Sequence, residues 1–210
     1  MATRSDVQKK IKDEGIEYLL AQFVDINGSP KVKMVPASTF DDIVDDGAGF
    51  AGAAVEGMGQ GPHSHDMLAR ADIDTYTPLP WRDGMARFAC DLFVDGKPHP
   101  FCARQNIKRV LSSVRSAGYS FQVGIEPEHF LVTRTDDGIR VWDPNDIDSL
   151  AKPCYDFKGM SNVMDYLKDM MDAMGELGQM EKGPGGERYD VGTWVGMMKH
   201  NVNVFVEAMK

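Results

Sequence analysis

The feature that most constrains the fold is a hairpin signal close to the N-terminus. Glu17-Tyr-Leu-Leu-Ala-Gln-Phe-Val-Asp-Ile26 runs into Asn27-Gly28 and then into Ser29-Pro-Lys-Val-Lys-Met-Val35. Asn-Gly tolerates the positive φ that a tight turn requires, and apolar residues on both sides predict two antiparallel strands. Lys31 and Lys33 alternate with Val32 and Met34, so the second strand is expected to carry one wet face. Upstream, Ser5 and Gln8 have capping-box spacing, Val7 and Ile11 supply an apolar stripe, and Gly15 ends a short helix. Downstream, Ser38 is placed to cap a brief helix carrying Phe40, Ile43 and Val44, with Gly47 as its stop. Helix, hairpin, helix and further strands predict an α+β module with a helix packed on one sheet face.

Residues 47–66 are rich in glycine and alanine and read as a long loop, which in an ordered protein is usually functional. His63, His65 and Asp66 are metal ligands by residue type, but no third or fourth ligand follows at a recognisable spacing, which leaves plain loop packing as the simpler reading. The glycines lack the Lys-Ser/Thr of a phosphate-binding loop. Thr75 to Trp81 is a proline-fixed connector, and Arg87 to Val94 before Asp95-Gly96 reads as a strand entering a turn. From Ala103 the pattern becomes helical, with Ile107, Val110, Leu111 and Val114 on one face. Arg104, Lys108 and Arg115 lie outside that face and read as solvated. A hairpin is expected through Asp136-Asp137-Gly138. A helix from Ser161 carries Met164, Leu167, Met171 and Met174 as core filler and closes at Gly175 and Gly178.

Between these helices lies Phe121-Gln-Val-Gly-Ile-Glu-Pro-Glu-His-Phe-Leu-Val132, which reads as a strand. Alternation puts Glu126 and Glu128 on one face with roughly 6.5–7 Å of rise between them. Two adjacent unpaired carboxylates repel, and a divalent cation relieves the repulsion, since Mg²⁺ takes a few carboxylate oxygens plus substrate phosphates. The alternative is an exposed acidic rim broken by Pro127.

Totals narrow the classes. A net charge of −9 over 210 residues supplies no basic face for a nucleic-acid backbone. No apolar run approaches a membrane span, and the N-terminus lacks the apolar core of a secretory signal. Three widely spaced cysteines argue against a disulfide framework. A reduced, cytoplasmic protein is expected.

Several segments, in order, resemble the N-terminal part of the glutamine synthetase family. They are Phe23-Val-Asp-Ile-Asn-Gly28 with Val35-Pro36, Gly49-Phe50-x-Gly52, Asp66-Met67-Leu68, Leu79-Pro80-Trp81, Cys90-Asp91-Leu92 and Gly124-Ile-Glu-Pro-Glu-His-Phe-Leu131. The resemblance runs over residues 17–132 and continues more weakly from Lys152 to Gly178.

The resemblance implies an N-terminal β-grasp domain over 1–100, the start of an incomplete α/β catalytic domain of glutamine synthetase type over 101–178, and an atypical tail over 179–210. It implies ligase chemistry in which ATP, as co-substrate, converts the glutamate side-chain carboxylate to γ-glutamyl phosphate for attack by an amine. Glu126 and Glu128 would each hold a divalent cation, Mg²⁺ or Mn²⁺; no nucleotide-binding residue is assigned. Phe50, Ala51 and Gly52 form the amine-site loop. Where ammonia-using members carry aspartate, this chain has Ala51, and the loop resembles the γ-glutamylmethylamide synthetase branch, so methylamine or ammonia is the expected amine. A homo-oligomer is implied for the full-length form, with neither nucleic acid nor membrane as partner. The family's His-x-Glu and Gly-Gln-x-Glu segments and its arginine-rich nucleotide region do not follow Gly178. The catalytic set is therefore not complete in this chain, which reads as truncated and inactive alone, or as a non-catalytic partner that docks onto a complete member.

Overall fold

The computed structural model describes residues 2–121, 129–142 and 155–177, together with the backbone of 181–182 and 188–189. By contact the chain divides into two units, Met1–Gln122 and Val123–Lys210.

The first unit is built on a sheet of order β2-β1-β6-β4-β3, in which β1 (Tyr18–Val24) runs antiparallel to β2 (Pro30–Pro36) and parallel to β6 (Met85–Val94). β4 (Met67–Ala71) pairs antiparallel with β6 and with β3 (Ala48–Phe50), while the short β5 (Thr77–Pro78) and β7 (Lys97–Pro98) add to β6. Strand alternation makes the core: Leu19, Ala21 and Phe23 of β1 and Ala86, Phe88, Cys90 and Leu92 of β6 are buried. α1 (Arg4–Asp13) adds Val7 and Ile11, and α2 (Phe40–Asp45) adds Phe40 and Ile43, to the same apolar cluster. Phe88 is fully buried, with ring centroids 5.8 Å from Phe40 and 5.6 Å from Tyr76.

The hairpin forms with a three-residue loop. Gly28 N–H donates to the Asp25 carbonyl and Asp25 N–H to the Ser29 carbonyl, with Gly28 at φ 79°. Buried Asp25 pins the turn by accepting from Asn27 and Ser29 N–H, each at 2.9 Å, and by pairing with Lys31 at 3.1 Å. Burial pushes its carboxyl up, but these donors outweigh that and hold it below the ordinary value.

Several local expectations are corrected. Thr3, not Ser5, caps α1, in a capping box with Asp6. Ser38 caps nothing, because a 3₁₀ turn over Ala37–Thr39 leads into α2. Part of the expected loop from Gly47 is strand β3. β2 has no single wet face: Val32, Lys33 and Met34 are all exposed, with Lys31 turned to Asp25 and Lys33 to the carbonyl of Gly49. α3 (Ala103–Ser116) forms where the periodicity places it, but none of its residues is buried. Arg104 and Lys108 are not simply solvated. Arg104 reaches Asp91 at 2.9 Å and Asp72 at 2.8 Å, and Lys108 reaches Asp72 at 3.0 Å and Asp91 at 2.7 Å.

In the second unit, β8 (Val132–Thr135) and β9 (Gly138–Val141) form the hairpin expected around Asp136-Asp137. Phe121 and His129 to Leu131 are irregular rather than strand, and 122–128 lie outside the described residues. The helix expected from Ser161 starts earlier, as α4 (Phe157–Asn162) capped by Asp156, and breaks at Val163. α5 (Met164–Glu176) then runs through Gly175. Its methionines are not core filler, since no residue of α5 is buried. Glu181–Lys182 pairs with Arg188–Tyr189; the rest of the expected tail lies outside the described residues. Among the described residues no helix is long and apolar enough to cross a membrane.

Candidate functional site

The loop carrying Phe50, Ala51 and Gly52 is held from both sides. β3 ends at Phe50, which is in register with Met67 of β4. The Phe50 ring meets Phe23 edge-on at 5.0 Å and 88°. Lys33 donates to the Gly49 carbonyl at 2.8 Å, and its ammonium stands 5.9 Å from the centre of the Phe50 ring. Ala51 is exposed at the end of this strand, and buried Gly52 opens a 3₁₀ turn closed by Ala54 N–H to the Ala51 carbonyl at 3.0 Å. Lys33 was not singled out from the sequence as a site residue. Its signal was its place on β2 opposite β1, which only the register with Ala21 resolves.

Beyond Ala54 the loop folds back on itself. Met58 is buried, and the Gln60 amide donates to the His65 carbonyl at 2.9 Å. The Gln60 side chain lies so close to Gly52 that a Cβ there would come within 1.5 Å of its Oε1. His65 Nδ1 lies 2.5 Å from an Asp95 oxygen, and this contact raises the imidazole's pKa above its ordinary value. Asn27 on the hairpin donates to Glu56 at 3.2 Å. His63, His65 and Asp66 are therefore not gathered around one point. Among the described residues no group of three His, Cys, Asp or Glu side chains could hold a metal ion. Glu126 and Glu128 lie outside the described residues, so the structure places neither carboxylate.

Burial pushes the Asp72 carboxyl up, but hydrogen bonds from Arg104 and Lys108 outweigh this and hold it below the ordinary carboxylate range. The four charges tie α3 to β6 and to the end of β4. Cys90 and Cys102 are buried free thiols, and burial pushes Cys90 up to about 12, so it stays protonated.

Comparison with known proteins agrees with this fold. Residues 15–95 match the family described as glutamine synthetase, beta-Grasp domain, and residues 100–183 match glutamine synthetase, catalytic domain. The glutamate–methylamine ligase of Methyloversatilis universalis is 41% identical over 175 residues, which are 83% of this chain and 39% of that protein. A glutamine synthetase of Rhizobium leguminosarum bv. phaseoli is 32% identical over 173 residues, 82% of this chain and 39% of that one. A solved structure described as a GmaS/ADP complex superposes with a TM-score of 0.70 at 29% identity, covering 82% of this chain and 39% of that chain. The chain thus spans about 39% of the length of these relatives. Two consecutive domain matches and a fold shared along most of its length place the chain in the glutamine synthetase family, as its N-terminal β-grasp domain and part of its catalytic domain.

Proposed function

We propose that the chain is the amine-reading portion of an ATP-dependent glutamate–amine ligase, with methylamine as the preferred amine and γ-glutamyl phosphate as the activated acid. In this reading residues 1–100 are the β-grasp domain, 101–178 the start of the catalytic domain and 179–210 an atypical tail. A cytoplasmic location fits the free buried thiols. The observation that carries the reading is Ala51, exposed at the tip of a braced strand with no carboxylate of its own and with the Lys33 ammonium bonded to Gly49 beside it. A neutral side chain there removes the attraction for a small solvated cation and tolerates a methyl group.

Glu126 and Glu128 are the residues that would hold divalent metal. When bound, Mg²⁺ or Mn²⁺ neutralises charge on the transferring phosphoryl group. The 210 residues alone are not competent for turnover, because that stabilisation needs the complete ligand set and the nucleotide pocket together.

The test is a fusion of this chain to the remaining catalytic segment of the Methyloversatilis universalis ligase. It should release ADP in a manner dependent on both glutamate and methylamine, whereas the 210-residue chain releases none. In the fusion, Ala51→Asp should move kcat/KM toward ammonia by about tenfold or more, corrected for each amine's free-base fraction. An unchanged ratio would mean that Ala51 does not read the amine.

A second reading, a non-catalytic partner of a complete family member, is favoured by the unburied apolar side chains of α3 and α5, among them Ile107, Val110, Met164 and Met174. Co-migration with a complete member at micromolar concentration, without gain of activity, would select it.

A further inference from the structure

A cavity of about 120 Å³ lies in the first unit, and the Ala51 loop supplies none of its lining. Its lining includes Gln22 and Phe23 of β1, Arg87 and Cys90 of β6, Cys102, and Arg104 of α3. The chemistry of this lining is one-sided. Arg87 is half-buried, and its polar contact is the neutral Oε1 of Gln22 at 3.3 Å. Among the described residues no carboxylate lies within ion-pair distance of it. With its oxygen given to Arg87, the Gln22 amide has N–H donors to spare.

The neighbouring groups do not supply the missing negative charge. Arg104 is matched by Asp72 and Asp91, with Lys108 as the second cation of that cluster. The Cys90 thiol is directed to the Phe88 carbonyl at 3.7 Å, and Cys102 Sγ accepts from Leu92 N–H at 3.5 Å. Both sulfurs are buried. The site therefore offers a partly desolvated guanidinium, a primary amide and a neutral floor. Other cations of the chain also lack an ion pair, but Arg87 is the one of them that lines this cavity and is half-buried there.

We infer that the Arg87–Gln22 cavity is a binding site for a small oxyanion, taken up as two or three charge-assisted hydrogen bonds from the guanidinium and the amide. Planar guanidinium donors suit both carboxylate and phosphate oxygens. The volume admits an anion the size of inorganic phosphate or the carboxylate end of an amino acid, not a nucleotide. The inference does not depend on the amine chemistry assigned to Ala51.

The experiment titrates the full 210-residue chain, at fixed ionic strength, with inorganic phosphate, sulfate, glutamate and acetate in separate arms. Amide shifts are followed by NMR and heats by calorimetry. Saturable binding is expected, with the largest shifts at Gln22, Phe23, Ala89 and Cys90, and the arms decide between a phosphate-type and a carboxylate-type ligand. Arg87→Gln should weaken binding about tenfold or more, and Arg87→Lys should retain part of it, because a point charge replaces the fork. Arg82→Gln, at an exposed arginine, should change the affinity less than about twofold. Should Arg87→Gln perturb folding, Gln22→Leu gives the second reading, with an expected loss of severalfold. Equal weakening by Arg87→Gln and Arg82→Gln, shifts spread over all surface cations, or no saturation by any of the four anions would overturn the inference.

Discussion

The two units use similar residues to opposite effect. In the first, apolar side chains at strand and helix spacing converge: Leu19, Phe40, Met67, Phe88 and Leu92 are all under 4% exposed. In the second, equally regular elements form, yet no described residue is buried, and Phe130, Ile139 and Phe157 are each more than 60% exposed. β8–β9 is a two-stranded hairpin, which has little stability by itself in water. α5 has an apolar stripe, none of whose residues is buried. Secondary structure follows from local pattern, whereas stability follows from having a second layer to pack against. The difference teaches that the first unit contains its own second layer within about a hundred residues.

The sharpest way to break this comparison is a pair of matched truncations. Phe88→Ala should cost about 3–5 kcal/mol, because a fully buried ring leaves a cavity between Phe40 and Tyr76. Phe157→Ala, at an exposed ring, should change stability by no more than about 0.5 kcal/mol. Urea unfolding of both variants gives the numbers, and equal losses would abolish the contrast.

The Ala51 loop extends the comparison to backbone geometry. Gly59 has φ 64°, and a Cβ there would stand 2.8 Å from the Phe101 ring. Gly59→Ala should therefore cost about 1–2 kcal/mol and loosen the loop. Gly118→Ala meets no neighbouring atom at φ 84°, so its cost should be the smaller, limited to backbone strain. Thermal melts of the two variants make the test.

The charge cluster sharpens the boundary of the stable unit. Arg104 and its two carboxylate partners are each less than a third exposed. Arg104→Met should lose about 1–2 kcal/mol at neutral pH. Because the Asp72 pKa is lowered by folding, its contribution is fully present above the unfolded carboxylate value of about 3.9 and is lost as pH falls through the lower folded value. The gap between wild type and Arg104→Met should thus hold down to about pH 4 and close below it. The smallest effect is at His65, whose folded pKa is raised beside Asp95. That contribution is fully present below the unfolded value of about 6.5 and is lost as pH rises through the higher folded value. Corrected for intrinsic rates, amide exchange over 61–66 should accelerate across that range in wild type but not in His65→Asn.

Periodicity and turn chemistry carried the first unit well. The Asn27-Gly28 hairpin, the β6 strand into Asp95-Gly96, and the helix from Ala103 were legible because each is set by residues close in sequence. The family resemblance supplied the β-grasp domain, whereas the parallel β1–β6 pairing, which no local pattern encodes, was not read from the sequence. What was not legible depended on long-range partners. Lys31 and Lys33 read as solvated until β1 and β3 brought Asp25 and Gly49 to them, and Arg104 and Lys108 read as solvated until Asp72 and Asp91 arrived from β4 and β6. The Thr3 cap was missed because Ser5 offered the same chemistry two residues later. Of the candidate site, Phe50, Ala51 and Gly52 could be found from the Gly-Phe-x-Gly pattern. The bracing by Lys33 and Phe23 could not, since strand register decides it.

The most direct measurement is native-state hydrogen exchange on the full chain, resolved by residue. The account predicts that amides of β1, β4 and β6 exchange only through global unfolding, while those of β8, β9 and α5 exchange through local opening that needs far less free energy. Uniformly high protection across both units, with one common dependence on denaturant, would contradict the contrast between the buried core of the first unit and the unburied side chains described in the second.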